Sequence, residues 1–234
     1  MLIGMDILNK YDNKVILADK PLDWTSNDVI NKFKRTLRIK KAGHSGTLDP
    51  RATGLLIICT GKMTKSIPDL ITADKEYEGV FRIGATTPTY DTESEETNFK
   101  DTAHITDDDI ENAANKFRGK ILQTPPLHSA IKKNGKPVYK MARKGEVFEL
   151  EPREVFINKF IVKRISETQV GFTANVSKGT YIRSLANDFG IETGTGAYLL
   201  SLRRTKIGDY DIKFLDGNFE NAGDVKFRIL ESFV

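Results

Sequence analysis

The chain of 234 residues has one cysteine, Cys59, and no long hydrophobic run. A single cysteine excludes an internal disulfide framework and is typical of a protein in the reducing cytoplasm, where we expect this one. The longest apolar run, Leu55–Cys59, is far too short to span a bilayer, so we expect no membrane association. Met1–Asp6 has no basic stretch before its apolar residues, which argues against a signal peptide.

Histidine is also scarce, and the usual cofactor motifs are missing. None of the three histidines has a second histidine or a cysteine pair nearby, so we predict no metal site. Residues 54–62 fail as a phosphate loop, because six mostly apolar residues separate the glycines and Met63 replaces the required serine or threonine. Residues 193–196 hold only half of a dinucleotide fingerprint.

Charge is unevenly distributed, although the net charge is only +4. Residues 30–51 contain seven basic residues and one acid, and residues 131–145 contain six basic residues and no acid. Residues 89–111 contain nine acids and one lysine. Each run by itself is usually an ordinary solvated face, but together they indicate a polarised surface and favour a polyanionic substrate.

Hydrophobic periodicity predicts a mixture of strands and helices without a βαβ repeat. Leu55–Cys59 is typical of a central strand buried on both faces. Thr25, with Asp28 three positions later, predicts the N-cap of a helix that ends near Leu37. The other predictions are strands over 14–18, 77–83, 155–165 and 169–176, helices over 62–71, 106–117 and 181–189, a short element over 198–203, and a final strand and helix after 208. The sequence therefore predicts an α+β fold with a mixed, mostly antiparallel central sheet flanked by helices.

Residues 123–152 differ from the rest of the chain. They contain prolines, glycines and six basic residues but few large apolar side chains. We predict a projecting basic loop, with a short helix near 139–144, inserted in a single domain over 1–234. Long ordered loops of this kind are usually lids or binding loops.

The residues Gly43–Arg51 place one carboxylate, Asp49, in a loop punctuated by glycines and followed by Pro50. Glycine permits backbone conformations closed to other residues, and proline stiffens the exit of the loop. A carboxylate held at the edge of a buried strand is a candidate nucleophile or base. Most loop aspartates only cap turns, so the spacing alone leaves both possibilities open.

The full string Gly-His-Ser-Gly-Thr-Leu-Asp-Pro-Arg-Ala-Thr-Gly-Leu-Leu, which begins at Gly43, closely resembles the catalytic motif of the TruB family of tRNA pseudouridine synthases. In that family the aspartate of this motif is the essential catalytic residue. Other segments resemble the family in the same order, between about residues 15 and 210: Lys20–Ser26, Lys75–Tyr77, Thr89–Asp91, Pro125–Ala130, Gly179–Arg183 and Leu202–Arg204. Two positions depart from the pattern. Asp23 stands where the family usually has glycine, and Thr87–Thr89 lacks an expected aspartate.

The resemblance implies the pseudouridine synthase fold, an RNA-gripping insertion over 123–152, and no C-terminal PUA domain. It also implies an activity: isomerisation of the T-loop uridine at tRNA position 55 by base flipping, with no cofactor. The implied partner is the tRNA T stem-loop, without a required protein partner, and we expect a monomer. A second role in helping tRNA to fold also follows from the resemblance.

The same resemblance assigns roles to the site residues. Asp49 would be the nucleophile or base, and Arg183 would be the cation that keeps it ionised. Tyr77 would stack on the flipped base and serve in proton transfer, and Tyr181 would shape the pocket. His44 would fill the gap left by the flipped base, and Leu202 would form an apolar wall. The remaining residues expected to contact substrate or RNA are Lys20, Asp91, Lys132, Lys136, Arg143 and Lys144.

Other functions remain open at this stage. A nucleoside hydrolase would need a second carboxylate as acid, for which Asp91 or Asp188 could be nominated. A non-enzymatic RNA-binding protein would need no catalytic acid at all. The guide-RNA-dependent dyskerin relatives share the aspartate motif, but the expected lack of a C-terminal RNA-binding domain argues against that assignment. Whether Asp49 attacks the ribose or the base is also open.

Overall fold

The computed structural model describes residues 10–127, 129, 132–133, 136–137 and 150–230. The chain forms two compact units, the first over residues 1–77 and 202–234 and the second over residues 78–201. It passes from the first unit to the second within one strand, β4 (Lys75–Ile83), and returns within another, β10 (Ala197–Ile207).

The first unit is built on strands ordered β12-β13-β1-β3, followed by the C-terminal part of β10. The neighbours are antiparallel except β3 and β10, which pair in parallel through Leu202 and Ala52. A short strand, β2, also pairs with β3, and β11 pairs with β10. The bounds are β1 (Val15–Lys20), β2 (Ala42–His44), β3 (Ala52–Thr60), β11 (Tyr210–Asp211), β12 (Glu220–Ala222), β13 (Val225–Ile229), α1 (Ser26–Thr36) and α2 (Ile67–Thr72).

Alternate side chains of β3 enter two separate hydrophobic clusters of the first unit. Leu56 and Ile58 pack with α1, whereas Leu55, Ile57 and Cys59 pack with Leu70 of α2 on the other face. The prediction of a strand buried on both faces is thus confirmed. Burial raises the pKa of the Cys59 thiol to about 11, as expected for an inert buried cysteine.

The second unit has strands in the order β10-β4-β9-β8-β5, and β8 is antiparallel to both of its neighbours. Four phenylalanines from β4, β8, β9 and α4 form its aromatic centre, with ring centroids 4.3–6.4 Å apart: Phe81, Phe160, Phe172 and Phe189. The bounds are β5 (Gly119–Gln123), β6 (Lys132–Lys133), β7 (Lys136–Pro137), β8 (Arg153–Ser166), β9 (Gln169–Val176), α3 (Asp107–Asn115) and α4 (Ile182–Glu192).

Most predicted elements are confirmed, including the α+β class and the mixed, mostly antiparallel sheet. Both α1 and α3 begin with reciprocal capping boxes, formed by Thr25 with Asp28 and by Thr106 with Asp109. Each box satisfies main-chain N–H groups that a first helical turn leaves unpaired. Sequence patterns of this kind are local, which explains why they predict helix starts well.

Three predictions need correction. The helix predicted over 62–71 is a 3-10 helix over Gly61–Ser66 followed by α2, because Pro68 has no N–H to continue an α-helical ladder. The short element predicted over 198–203 is part of the eleven-residue strand β10. Residues 208–230 form three short strands and a 3-10 turn over Ile212–Leu215, so the helix predicted there is wrong for the described part.

The helix predicted near 139–144 lies outside the described residues. Among the described helices, none is both long enough and apolar enough to cross a membrane.

Candidate active site

The loop that carries Asp49 joins β2 to β3 in the first unit. The Ser45 N–H donates to the Ile57 carbonyl at 3.0 Å, and the Ala52 N–H donates to the Asp49 carbonyl at 3.0 Å. Gly46 has φ +127°, a backbone conformation that favours glycine. Asp49 is half-buried and lies three residues before a strand buried on both faces. The loop therefore holds a carboxylate on a rigid support, as a nucleophile or base requires.

The start of α1 fastens this loop from a second direction. The Ser26 hydroxyl accepts from the Leu48 N–H at 2.9 Å and donates to the Leu48 carbonyl at 3.2 Å. The Asp23 N–H donates to the Pro50 carbonyl at 2.9 Å. Asp23 has φ +63°, so it adopts the left-handed conformation that glycine accepts more readily. The residue that replaces the family's usual glycine therefore keeps a turn of the kind that glycine favours.

Lys20, at the end of β1, is fully buried under the Asp49 loop. Its ammonium donates to the carbonyls of Pro21 at 2.9 Å, Pro50 at 3.4 Å and Trp24. Burial lowers the pKa of Lys20 to about 8, and the negative charge of Asp49 acts in the opposite direction. Lys20 thus ties two loops together by main-chain hydrogen bonds and is electrostatically coupled to Asp49.

Arg204 is a functional candidate to which the sequence alone assigns no role. Its side chain is almost fully buried, with 1% exposure, whereas its neighbour Arg203 is partly exposed and paired with Asp19 at 2.7 Å. The Arg204 guanidinium donates to the carbonyls of Leu55 at 2.8 Å and Gly46 at 3.2 Å. It therefore fixes the glycine turn three residues before Asp49. Successive side chains of a strand point to opposite faces of the sheet, and this is the only sequence signal that could predict different burial for Arg203 and Arg204.

His44, on β2, lies at the entrance to the same loop. Burial lowers the pKa of its imidazole, and the positive charge of Arg204 acts in the same direction, while a contact with the Gly46 main chain opposes them. A lowered pKa means that the imidazole is mostly neutral at pH 7. A neutral, flat side chain is suited to the predicted role of filling the place of a flipped base.

Tyr77 and Leu202 lie on strands of the same unit. Leu202 is half-buried and pairs with Ala52, the first residue of β3 after the Asp49 loop. Tyr77 lies on β4 with 9% of its surface exposed. The first unit thus contains five of the predicted site residues: Lys20, His44, Asp49, Tyr77 and Leu202.

The second unit contains Arg183 and Asp91. Arg183 is the second residue of α4 and is 6% exposed, so it is not an ordinary surface base. Its Nε lies 3.6 Å from Oδ2 of Asp91, and its Nη1 donates to the Thr89 carbonyl at 3.3 Å. Asp91 is 3% exposed, and its Oδ1 also accepts from the Glu93 N–H at 3.0 Å. The carboxylate offsets the unfavourable position of a cation at a helix N-terminus.

Tyr181 is the N-cap of α4 and is held there by Gln123. The Tyr181 N–H donates to Oε1 of Gln123 at 2.8 Å, and Nε2 of Gln123 donates to the Tyr181 carbonyl at 3.1 Å. The Ser184 hydroxyl donates to the Thr124 carbonyl at 2.7 Å. These bonds join the start of α4, which carries Arg183, to the first residues of the predicted insertion.

Asp188, the other carboxylate nominated as an acid, lies on α4. Burial raises its pKa, and a hydrogen bond from the Asn187 side chain opposes this effect. Burial and the negative charge of Asp188 also raise the pKa of Tyr90. A carboxyl with a raised pKa is the kind of group that a hydrolase would use as acid, so Asp188 remains the residue for that alternative.

The remaining predicted residues belong to the basic insertion. Lys132 and Lys136 lie on β6 and β7, which form a short antiparallel pair. Arg143 and Lys144 lie outside the described residues. Among the residues that the structure does describe, no group of three His, Cys, Asp or Glu side chains is arranged to hold a metal ion.

Comparisons with known proteins identify the family of the chain. Residues 34–182 match the model of the TruB family pseudouridylate synthase N-terminal domain. The chain is 50% identical over 209 residues to a tRNA pseudouridine synthase B of Flavobacterium johnsoniae, which covers 86% of this chain and 91% of that relative. It is 44% identical over 235 residues to the protein of the same name from Chloroherpeton thalassium, which covers 97% and 96% of the two chains.

Among solved structures, the chain is similar to one from a crystal structure of a Cbf5-Nop10-Gar1 complex, with a TM-score of 0.68 and 29% identity over 87% of this chain. It spans about half of that chain, 52%. The sequence matches cover both the Asp49 loop and the segment that carries Asp91. The chain therefore belongs to the TruB family of pseudouridylate synthases.

Proposed function

We propose that this protein isomerises uridine to pseudouridine in tRNA, at the T-loop uridine of position 55, with Asp49 as the catalytic group. The observation that carries the proposal is the Asp49 loop, which is fixed by two buried cations, Lys20 and Arg204. The 50% identity to a tRNA pseudouridine synthase B across 91% of that relative supports tRNA as the substrate.

The reaction needs a carboxylate and no cofactor. The bond from the ribose C1′ to N1 of uracil breaks, the base turns, and a new bond joins C1′ to C5, which loses its proton to solvent while N1 gains one. No electron is transferred and the mass is unchanged. The uridine must first leave its stack, which costs a few kcal/mol. Asp49 would then attack either the ribose or the base.

The other predicted residues have roles that fit their positions. Arg183, paired with Asp91, supplies a buried fixed cation to keep a carboxylate ionised next to the everted nucleotide. Tyr77 stacks on the everted base, and Tyr181 shapes the pocket at the start of α4. Leu202 forms an apolar wall, and the neutral His44 fills the gap in the RNA stack.

The basic insertion over 123–152 is the proposed grip on the RNA, through Lys132, Lys136, Arg143 and Lys144. Phosphate contacts of this kind position a substrate and carry little sequence information. Replacing Lys132, Lys133, Lys136 and Arg143 together by glutamine should raise KM and flatten its dependence on salt. An unchanged salt slope would exclude the insertion as the RNA grip.

The proposal is tested with the purified chain and unmodified tRNA. We expect one pseudouridine at position 55, none in a tRNA whose T-loop uridine is replaced by cytidine, and a nucleoside of unchanged mass. Turnover by the isolated chain would also show that no protein partner is required. We further propose a monomer that acts in the cytoplasm. Release of free uracil would instead indicate a hydrolase with Asp188 as the acid, and binding without conversion would indicate an RNA-binding protein.

A further inference from the structure

A groove of about 620 Å³ lies beside α1 in the first unit, and no step of the reaction described above uses it. Its lining combines one aromatic ring, one amide, two acids and two bases: Trp24, Asn31, Asp23, Asp28, Lys34 and Arg35. Lys34 and Arg35 are in the last turn of α1, and Asp23 and Trp24 are in the turn that precedes the helix.

The groove begins at the catalytic loop. Asp23 donates its N–H to the Pro50 carbonyl at 2.9 Å, and its carboxylate binds Nη1 of Arg51 at 2.7 Å. Pro50 and Arg51 directly follow Asp49 in the chain. Asp23 is therefore shared between the lining of the groove and the contacts of the Asp49 loop.

Both acids of the lining bind neighbouring groups, but among the described residues only Asp23 is paired with a cation, so Asp28 keeps its negative charge. Asp23 is paired with Arg51, and Asp28 accepts hydrogen bonds from the Thr25 N–H at 2.8 Å and from its hydroxyl at 2.6 Å. By contrast, within the described part of the chain no carboxylate lies within 4 Å of the charged groups of Lys34 or Arg35. The groove therefore offers two cations whose charge is available to an anionic ligand.

Trp24 supplies a flat aromatic surface to the same groove. It is half-buried and packs with one side against the hydrophobic cluster under α1. An aromatic ring with basic side chains along one path is the usual arrangement for binding a nucleic-acid strand, because bases or riboses pack on the ring while phosphates meet the cations. Asn31 can donate to or accept from ribose and base edges.

We propose that this groove binds the RNA strand that continues from the isomerised nucleotide, with Lys34 and Arg35 on its phosphates and Trp24 against a ribose or a base. The inference rests on the proposed function and names a second contact region for the same substrate. The groove extends the RNA path beyond the basic insertion, along the part of the first unit that is fastened to Asp49.

The chain itself provides a reporter, because Trp24 is its only tryptophan. Titrating the protein with unmodified tRNA should quench Trp24 fluorescence, and the quenching should saturate with the same Kd as an independent filter-binding assay. Tryptophan fluorescence that stays unchanged while tRNA saturates the protein would overturn the proposal.

A matched pair of variants on α1 gives the second test. Lys34→Gln together with Arg35→Gln should raise the Kd for tRNA about tenfold at moderate salt and reduce the slope of log Kd against log salt by about 1.5. Lys32→Gln is the control, because the Lys32 side chain lies over Gly223 and not in the groove lining. Its Kd should stay within about twofold of the parent. An equal loss of tRNA affinity in Lys32→Gln and in the Lys34→Gln/Arg35→Gln protein would mean that tRNA responds to the overall positive charge of α1 and not to the groove. That result would overturn the proposal.

Isomerisation separates this inference from the proposed function. At saturating tRNA, the Lys34→Gln/Arg35→Gln protein should convert uridine at nearly the parent rate, since neither residue touches the reacting atoms. One outcome is that the parent protein converts tRNA while tRNA binding leaves Trp24 fluorescence unchanged and the Lys34→Gln/Arg35→Gln protein keeps the parent Kd. In that case the groove proposal fails and the proposed function stands. If the parent converts no tRNA, the proposed function itself fails.

Discussion

Both units bury positive charge, but they satisfy it in different ways. In the first unit, the described hydrogen bonds of Lys20 and Arg204 go to main-chain carbonyls of the loops around Asp49. In the second unit, Arg183 faces the carboxylate of Asp91 and donates one further bond to the Thr89 carbonyl. A carbonyl accepts a hydrogen bond from a cation without cancelling its charge, whereas a carboxylate accepts the hydrogen bond and also offsets the charge.

The difference indicates that the buried cations of the two units have different roles. Cations held by carbonyls keep their full charge and shape the backbone, so Lys20 and Arg204 hold the Asp49 loop and leave a positive field near Asp49. In the Arg183–Asp91 pair, the carboxylate fixes the direction in which the guanidinium points. The following substitutions test this difference in roles, beginning with the group that both regions are proposed to serve.

Replacing Asp49 by asparagine should have the largest effect. We expect single-turnover isomerisation to fall by at least about 10⁴-fold, because the nucleophile or base is lost, while the Kd for tRNA stays nearly unchanged. Asp69→Asn, on the first turn of α2, is the control and should keep full activity. Loss of tRNA binding in Asp49→Asn would mean that Asp49 is structural.

Breaking the buried pair in the second unit should have the next largest effect. Asp91→Asn leaves the Arg183 guanidinium with a weaker partner, and we expect the rate to fall about 10²-fold and the free energy of unfolding to fall by about 3 kcal/mol. Asp107→Asn, which breaks a pair with Arg164 through a largely exposed carboxylate, should cost less than about 1 kcal/mol. Similar costs at the two sites, measured by urea unfolding, would contradict a special role for the buried pair.

The adjacent residues Arg203 and Arg204 on β10 allow a test of how much the carbonyl-bound Arg204 contributes to stability. Arg204→Met removes the buried guanidinium that donates to the Leu55 and Gly46 carbonyls and should lower the free energy of unfolding by about 3 kcal/mol. Arg203→Met removes a partly exposed pair with Asp19 and should cost about 1 kcal/mol or less. Denaturant unfolding of both variants is the measurement, and equal destabilisation would remove the distinction between the two positions.

The pH dependence of Lys20 should give the most gradual effect, spread over more than two pH units. Because burial lowers its folded pKa to about 8 from 10.5, the unfolded chain binds more protons between these values, and stability should rise with pH across that window. The full rise is about 3 kcal/mol. The difference in free energy of unfolding between the parent and Lys20→Met, measured from pH 7 to pH 10, should show this rise. A flat difference would mean that Lys20 has an ordinary pKa.

The sequence predicts the local parts of this structure well. The capping boxes, the Asp49 loop and the strand after it depend on residues only a few positions apart. Motif resemblance also nominates Arg183 and Asp91 as site residues, which stays a prediction. The pairing of Arg183 with the Thr89–Asp91 segment was not predicted, because Thr89 and Arg183 are 94 positions apart and only the folded chain brings them together.

Tertiary burial explains the other omissions. Arg203 and Arg204 are adjacent and chemically identical, and only their positions on the two faces of β10 make one half-exposed and the other buried. Lys20 was assigned to the substrate, but its buried ammonium binds main-chain carbonyls of the loops beside Asp49. Composition cannot predict such a position, because lysine is rarely buried completely.

The most direct test of the account is a crystal structure of the Asp49→Asn protein bound to an unmodified tRNA T stem-loop. We predict that the uridine of position 55 is everted, with its ribose C1′ or its base C6 within about 3.5 Å of the residue 49 side chain. A uridine that remains stacked in the loop, or that is everted into a site without residue 49, would contradict the account.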